Sequence, residues 1–358
     1  MTTAAKRPAP APLDLDLGPA KEVAAGLVRD GTIPCAAFGA VDAAGRTATH
    51  TVAGPAAAVG PASVFFLASI TKAIVATAVM RYVDEGRLAL HAPLVRCLPE
   101  LSGSAAAGVS AWHVLTHTSG LPDMPVESLR TERPTYRRSL QFVRTSELVS
   151  EPGSAYAYNS VAFILLAEAI ARLSRTSFAD ALALRLLEPL GMADTTFDAR
   201  PLRRRIVPVE GFGVENRLVQ EVLLRFLASA QLPGGGLFGT LEDLLQLSRA
   251  LLPADETAPG PRVLSQAAID DMARNQTVGM THIAEDGVER EVRQALGWRK
   301  PQPDWAGSAS AFTHGGISGG RLWIDPQAGF AVVFLTSLWH APIAASIAVI
   351  EAIYRARD

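Results

Sequence analysis

The sequence predicts a mixed fold of the α/β class (α+β), in which an antiparallel sheet is flanked by the N- and C-terminal helices and a mainly helical region is inserted. Two observations predict it. Patterns with the two-residue period of strands lie near both ends of the chain, and helical periodicity dominates between them, from about residue 88 to residue 288. Chain ends often come together around an insertion, so we expect one sheet built from both terminal segments.

The N-terminal segment supplies the first helix and the first strands. Residues 18–31 have the apolar spacing of a helix, and they follow a proline-containing tail at residues 1–17 that we expect to be disordered. Two strand-like runs come next, at residues 35–41 and 46–54, and the DAAG between them is typical of a hairpin turn. We therefore assign residues 18–87 to a sheet domain.

The middle and the end of the chain complete this prediction. Helical patterns at residues 160–173 and 240–252 are the clearest of a mainly helical inserted domain, which we assign to residues 88–289. After residue 294 the period changes to two, in runs that include RLWID and FAVVFLTSL around the turn PQAG, before a last apolar helix. Residues 290–358 therefore complete the sheet domain.

Composition limits the partners of this protein. The chain has 358 residues, is 49% hydrophobic and carries a formal net charge of −2, which predicts a globular protein of one or two domains. The near-neutral charge argues against a nucleic-acid partner, so the arginines at residues 203–205 are interpreted as a solvated loop. No stretch reaches about 18 uninterrupted apolar residues, so we expect no membrane span. Nothing in these features predicts an oligomeric state.

The cysteines, the histidines and the first residues bear on location and cofactors. Cys35 and Cys97 lie far apart and suggest neither a disulfide framework nor a metal site. The first residues lack the apolar core of a secretory signal, which favours a cytoplasmic protein. The scattered histidines have no metal-ligand spacing, so we predict no metal and no cofactor.

One lysine in an apolar helix is the first functional signal. Lys72 is the only charged residue between residues 64 and 80, and burying an unpaired ammonium is costly. A lysine can reach the surface along its own methylenes, which would make it a structural residue. However, Ser69 lies three residues earlier, where its hydroxyl would share a helix face with the amine. A desolvated, neutral amine can take the proton of a serine nucleophile.

Two further stretches could complete such a site. In EPGSAYAYNS, Tyr158 directly precedes an apolar helix and can project a phenol into a cleft, although a tyrosine there is also a common core or capping residue. In THGGISGG, the glycines beside a strand allow a ligand to approach the backbone closely, or they mark a bulge.

Taken in order, these motifs resemble the serine β-lactamase and penicillin-binding protein superfamily, most closely its class C-like, family VIII-type esterase branch. The resemblance covers nearly the whole chain from residue 18. The blocks that carry it are SITK (69–72), HVLTHTSGLPD (113–123), PGSAYAYNS (152–160), LLEPLGMADTTF (186–197), GGGLFGTLEDL (234–244), LGW (296–298) and HGGISGGRLWIDP (314–326). It implies a β-lactamase/transpeptidase-like fold with the active site between the sheet and the helical region.

The resemblance also implies roles for particular residues. The family's nucleophile corresponds to Ser69, its lysine to Lys72, and the tyrosine of its Tyr-x-Asn motif to Tyr158. The backbone N–H groups of Ser69 and Ile317 would form the oxyanion hole. The expected function is hydrolysis of a small-molecule carboxylic ester through an acyl-enzyme on Ser69.

Two departures from the family pattern bear on the substrate. Ser160 occupies the third position of the tyrosine motif, and the third motif is His314-Gly315-Gly316, where lysine or histidine followed by threonine is common. We expect these four residues to bind the substrate. They offer less charge and fewer donors to a substrate carboxylate, so a neutral ester is favoured over a β-lactam or a peptide.

Other interpretations stay open. The acyl-enzyme could be captured by an alcohol or amine, as in an acyltransferase or a cyclising thioesterase of natural-product biosynthesis. The protein could also be a β-lactamase or D-amino-acid peptidase, or a binding protein without catalytic activity. GISGG at residues 316–320 matches the nucleophile elbow of α/β-hydrolases, with Ser318 as the nucleophile, but a strand pattern follows it where a helix is required. His117 and Asp123 could be a base and its orienting group, although in the family this segment is a structural turn.

Overall fold

A computed structural model of the chain describes residues 17–55, 57–124, 132–211, 217–254, 260–283 and 287–357. The tail predicted at residues 1–17 lies outside this part of the chain, apart from Leu17. Leu17 is buried in one apolar cluster with Ala20 and Ala24 of the first helix. It therefore belongs to the packed core.

The elements follow the predicted order, with strands near both ends of the chain and helices between them. The helices are α1 (Gly18–Arg29), α2 (Ile70–Asp84), α3 (Ala111–Leu115), α4 (Tyr136–Thr145), α5 (Phe163–Ser174), α6 (Phe178–Leu182), α7 (Arg217–Ala230), α8 (Leu241–Ala250), α9 (Gln266–Ala273) and α10 (Ile343–Arg355). The strands are β1 (Cys35–Asp42), β2 (Thr47–Ala53), β3 (Val64–Phe66), β4 (Phe238–Thr240), β5 (Thr281–Ile283), β6 (Glu289–Glu291), β7 (Phe312–Gly315), β8 (Arg321–Asp325) and β9 (Phe330–Leu335).

The main sheet joins the two ends of the chain. Its strand order is β2-β1-β9-β8-β7, and every neighbouring pair is antiparallel. The junction is between β1 and β9, where Gly39 lies opposite Val333 on one side and opposite Thr49 of β2 on the other. The prediction of one antiparallel sheet assembled from both terminal segments is therefore confirmed. Two small sheets, β3-β4 and β5-β6, lie outside it.

Helices cover both faces of this sheet. On one face α1 and α10 pack against each other and against the strands, and on the other face α2 and α8 contact them. All residues of β1 are buried as a result. An antiparallel sheet with one solvated face would alternate apolar and polar residues, so the apolar run CAAFGA in β1 reflects coverage on both sides.

Helix α2 is buried on nearly all sides. It contacts β7 of the sheet and helices α5 and α9 of the helical region, and every residue from Ile70 to Met80 is buried. A helix that is apolar around its whole circumference belongs in such a core. Among the described residues no helix, α2 included, is both long and apolar enough to cross a membrane.

The Asp325 carboxylate links the sheet to the C-terminal helix. It is fully buried at the end of β8 and accepts hydrogen bonds from Tyr354 of α10, at 2.7 Å, and from the backbone N–H groups of Ser308 and Ala328, at 2.8 and 3.0 Å. The Ser308 hydroxyl also donates to it, at 2.5 Å. This carboxylate therefore satisfies donors from three separate segments.

We predict that Asp325→Ala lowers the free energy of unfolding by about 3 kcal/mol or more, because it leaves several buried donors without an acceptor. Tyr354→Phe, which removes one donor, should cost only about 1 kcal/mol. Asp304→Ala is the control, since Asp304 is exposed in the same region and its loss should stay within about 0.5 kcal/mol. Urea unfolding midpoints at a constant slope measure all three, and equal midpoints for Asp325→Ala and Asp304→Ala would contradict this role.

Candidate active site

Ser69 lies at the start of the buried helix. Strand β3 ends at Phe66, and Ser69 is the N-cap residue of α2. It is partly exposed, whereas Ala68 and Ile70 on either side are buried. Ala68 has a φ of +46°, in the left-handed region that residues with a Cβ rarely adopt. The left-handed turn at Ala68, between β3 and α2, lets the side chain of Ser69 reach the cleft.

Lys72 lies one turn into α2 and does not reach the surface. Its side chain is fully buried, which excludes the interpretation of a lysine that extends to solvent. The ammonium donates to the Gly234 carbonyl at 2.6 Å and to the Ser69 hydroxyl at 3.2 Å. It also lies 4.7 Å from the centroid of the Tyr158 ring. The structure thus brings Ser69, Lys72 and Tyr158 together, as the sequence predicted.

Tyr158 lies in the loop before α5 and faces two cations. Burial alone would raise the pKa of Tyr158, but the charges of Lys72 and Arg299 and hydrogen bonds from Lys72 and Ser69 lower it below the ordinary value of a tyrosine. The phenolate of Tyr158 therefore forms at a lower pH than that of a solvated tyrosine. A phenol with a lowered pKa next to a serine hydroxyl can act as a proton acceptor.

The two residues after Tyr158 differ in their surroundings: Asn159 is buried and structural, whereas Ser160 is accessible. The Asn159 side chain is buried, where it donates to the Leu121 carbonyl and accepts from the N–H of Ala162, both at 2.7 Å. Ser160 is partly exposed. The asparagine amide is thus committed to holding the loop, which leaves Ser160 as the motif residue that can face a substrate.

Asp123 is also committed to this loop. Its carboxylate accepts the backbone N–H groups of Ser160 and Val161, both at 2.9 Å. His117 instead accepts the N–H of Asn159 through its Nδ1. The two side chains are therefore not a base and its orienting group. Each one positions the tyrosine loop.

The third wall of the cleft is the end of β7. His314 is buried and its Nδ1 lies 2.8 Å from the Gly315 carbonyl, which can only accept, so Nδ1 carries the proton. Burial, and then the charges of Arg299 and Lys72, hold the pKa of His314 well below its ordinary value. His314 is therefore a neutral imidazole, and the third motif contributes no fixed charge.

Two glycines allow the walls to approach Ser69 closely. A Cβ on Gly316 would lie 2.6 Å from the Leu67 carbonyl, and one on Gly234 would lie 2.3 Å from the carbonyl of Ser160. Both distances are shorter than any side chain permits. Gly316 of HGG and Gly234 of GGG are therefore required by close contact with a neighbouring backbone.

The turn from β7 to β8 holds Ile317 and Ser318 in different ways. In the described part of the chain, the backbone N–H groups of Ser69 and Ile317 donate to no acceptor. Ser318 is buried and its hydroxyl donates to the Phe66 carbonyl at 2.7 Å. Since Ser318 lies between two antiparallel strands and not before a helix, it is not a nucleophile elbow.

Arg299 is a part of the cleft that the sequence analysis missed. Its backbone pairs with Thr313 of β7 through two hydrogen bonds of 2.8 Å. Its exposed guanidinium lies 5.2 Å from the centroid of the Tyr158 ring and donates to the Tyr156 hydroxyl at 3.2 Å. A signal existed, because Arg299 directly follows the LGW block and continues its strand-like period towards the cleft. The cleft thus contains a cation, although the third motif does not supply it.

The fold and this geometry define a class of protein: an antiparallel sheet with helices on both faces and a mainly helical region, with a serine at the start of a buried helix paired with a lysine one turn later. The family model described as Beta-lactamase matches residues 20–353. The chain therefore belongs to the beta-lactamase family of serine hydrolases.

Individual relatives and solved structures agree with this assignment. Esterase EstB of Burkholderia gladioli is 29% identical over 347 residues, which cover 82% of this chain and 82% of that protein. A crystal structure of a family VIII carboxylesterase shares the fold, with a TM-score of 0.78 and 20% identity over 98% of this chain and 99% of the other. EstCE1, described as a hydrolase with promiscuous acyltransferase activity, shares it with a TM-score of 0.73 and 20% identity over 94% and 97%.

We predict that Arg299→Gln raises the pKa of Tyr158, because it removes one of the two cations that favour the phenolate. The ultraviolet absorbance of phenolate, titrated in each protein and in its Tyr158→Phe counterpart, isolates this tyrosine by difference. Arg293→Gln is the matched control, since Arg293 pairs through its backbone with Lys300, next to Arg299. The charges that lower the pKa of Tyr158, by contrast, are those of Lys72 and Arg299. An unchanged titration in Arg299→Gln, or an equal shift in Arg293→Gln, would contradict the assignment of the charge to Arg299.

Proposed function

We propose that this protein hydrolyses a carboxylic ester through an acyl-enzyme on Ser69. The observation that carries the proposal is the contact of 3.2 Å between the Lys72 ammonium and the Ser69 hydroxyl, in a cleft where Tyr158 is adjacent to both. The relationship to an esterase, EstB, supports an ester as the substrate class.

The proton transfers follow from this arrangement. The Lys72–Tyr158 pair takes the proton of the Ser69 hydroxyl while the oxygen attacks the ester carbonyl. The tetrahedral intermediate then loses the alcohol, which leaves with a proton returned by the same pair. Water attacks the acyl group of Ser69, and its proton passes through the pair back to the serine oxygen.

The proposed oxyanion donors are the backbone N–H groups of Ser69 and Ile317. Both are without an acceptor among the described residues, so each is available to a developing negative charge. Each fixed donor of this kind commonly lowers the barrier by about 3 kcal/mol. The close approach of Gly316 to Leu67 brings the two segments together at this point.

The third motif favours an uncharged substrate. His314 is neutral, and Gly315 and Gly316 have no side chains, so Ser160 is the one proposed substrate-binding residue with a side-chain hydroxyl. Arg299 is the exception in this cleft: its guanidinium donates to Tyr156 and lies over the Tyr158 ring, outside the third motif. We therefore favour a neutral ester over a substrate with a carboxylate.

We predict that Ser69→Ala abolishes ester turnover and labelling by a fluorophosphonate, because it removes the nucleophile. Ser318→Ala should retain most of both, since the Ser318 hydroxyl is buried and bonded to a backbone carbonyl. Labelling that survives in Ser69→Ala but disappears in Ser318→Ala would overturn the assignment of the nucleophile.

We also predict that p-nitrophenyl acetate or butyrate is cleaved faster than nitrocefin, by a ratio of at least about a hundred in kcat/KM, or roughly 2.7 kcal/mol. The physical reason is the absence of charge in His314-Gly315-Gly316. Esters of increasing acyl length, measured beside nitrocefin, test it. If kcat/KM for nitrocefin is comparable to that for the esters, and is lost in Arg299→Gln, the guanidinium instead binds a substrate carboxylate.

A further inference from the structure

His117 has a left-handed backbone conformation and a buried side chain. Its φ is +57°, in the left-handed region, and its side chain is only 1% exposed. Most residues with a Cβ are strained in this conformation, and asparagine, aspartate and histidine tolerate it best. The backbone alone therefore does not distinguish histidine from asparagine at this position, and a reason for histidine has to come from its contacts.

The reason lies in three contacts that surround Tyr158. The His117 carbonyl accepts the N–H of Ala157 at 2.9 Å, and its Nδ1 accepts the N–H of Asn159 at 3.1 Å. Between these two bonds, the imidazole ring lies against the Tyr158 ring with the centroids 4.5 Å apart and the planes tilted by 37°. One residue thus holds the peptide groups on both sides of Tyr158 and the phenol ring itself.

The imidazole suits both of the contacts that the side chain makes. A phenylalanine could stack on Tyr158 but has no acceptor, and an asparagine could accept the N–H but has no ring. Because Nδ1 accepts, the neutral ring carries its proton on Nε2, which has no hydrogen-bond partner in the described part of the chain. An unpaired buried N–H destabilises the protein, so the ring is retained at a cost.

The surroundings also keep this ring uncharged. Burial, and then the charges of Lys72 on α2 and of Arg299, hold the pKa of His117 well below its ordinary value. The other titratable groups that face the ring are Tyr158 and Tyr156. The His117 ring therefore remains neutral and adds no third cation to Lys72 and Arg299 in the cleft.

We propose that His117 is a positioning residue for the proposed reaction: it holds the Tyr158 phenol against Lys72 and Ser69 through the Ala157 and Asn159 peptide groups and the face of its ring. This inference rests on the proposed role of Tyr158 in proton transfer. It requires that His117 acts through Tyr158 and has no separate effect on the chemistry.

A double-mutant cycle in kcat for p-nitrophenyl acetate tests the proposal. His117→Asn keeps an acceptor and tolerates the left-handed backbone but removes the ring. We expect it to lower kcat at least about tenfold while KM changes less than about threefold. In a Tyr158→Phe background the same substitution should change kcat by less than about twofold, because the group that it positions is already lost.

The chain offers a matched control in His113. Its Nδ1 also accepts a backbone N–H, that of Ser110, at 3.1 Å, but its ring contacts Trp112 and not Tyr158. His113→Asn therefore removes the same kind of contact elsewhere and should leave kcat within about twofold. Thermal midpoints of all variants separate the loss of folded protein from the loss of kcat, and His117→Phe, which keeps the stacking ring, should lose less kcat than His117→Asn if it folds.

Two outcomes would overturn the proposal. One is a loss from His117→Asn that is equally large with and without the Tyr158 hydroxyl, which would mean that His117 acts independently of it. The other is a His117→Asn protein with the kcat of the wild type. In either case the proposed function stands as long as Ser69→Ala and Tyr158→Phe are impaired, whereas full activity in those two variants would remove the proposed function itself.

Discussion

The arrangement of the cleft depends on how one ammonium group is held away from water. Lys72 is fully buried, and a buried cation is tolerated only where acceptors replace the solvent. The Gly234 carbonyl and the Ser69 hydroxyl supply these acceptors, and the face of the Tyr158 ring lies alongside. Since the three groups come from distant parts of the sequence, the lysine determines where the helix, the glycine-rich loop and the tyrosine loop meet.

Part of the positive charge around Tyr158 comes from a position that the sequence motifs did not indicate, Arg299. The histidine of the third motif is neutral because burial, and then the charges of Arg299 and Lys72, lower its pKa. Arg299, on the neighbouring segment, carries the charge instead, and its exposed guanidinium lies 5.2 Å from the centroid of the Tyr158 ring. A phenol near both a buried ammonium and an exposed guanidinium has its anion stabilised by both charges.

The sheet and the Ser69–Lys72 pair were predictable because both follow from short-range periodicity. The two-residue pattern at both ends of the chain predicted the sheet, and the fold and the family resemblance are confirmed. The contacts of Arg299 with Tyr156 and of His117 with Asn159 were not predictable from local patterns, because they join residues 143 and 42 positions apart. The domain boundaries at residues 87 and 289, and the cytoplasmic location, stay predictions.

The contact between Gly316 and Leu67 has a consequence for how this protein can change. Main chain meets main chain there, so no side chain sets the distance between the segments that carry Ser69 and Ile317. Substitutions in the surrounding loops can reshape the walls of the cleft and leave that distance unaltered. Mutations in these loops can therefore change the substrate preference while the distance between the segments of Ser69 and Ile317 is kept. This property makes the protein a favourable starting point for directed evolution.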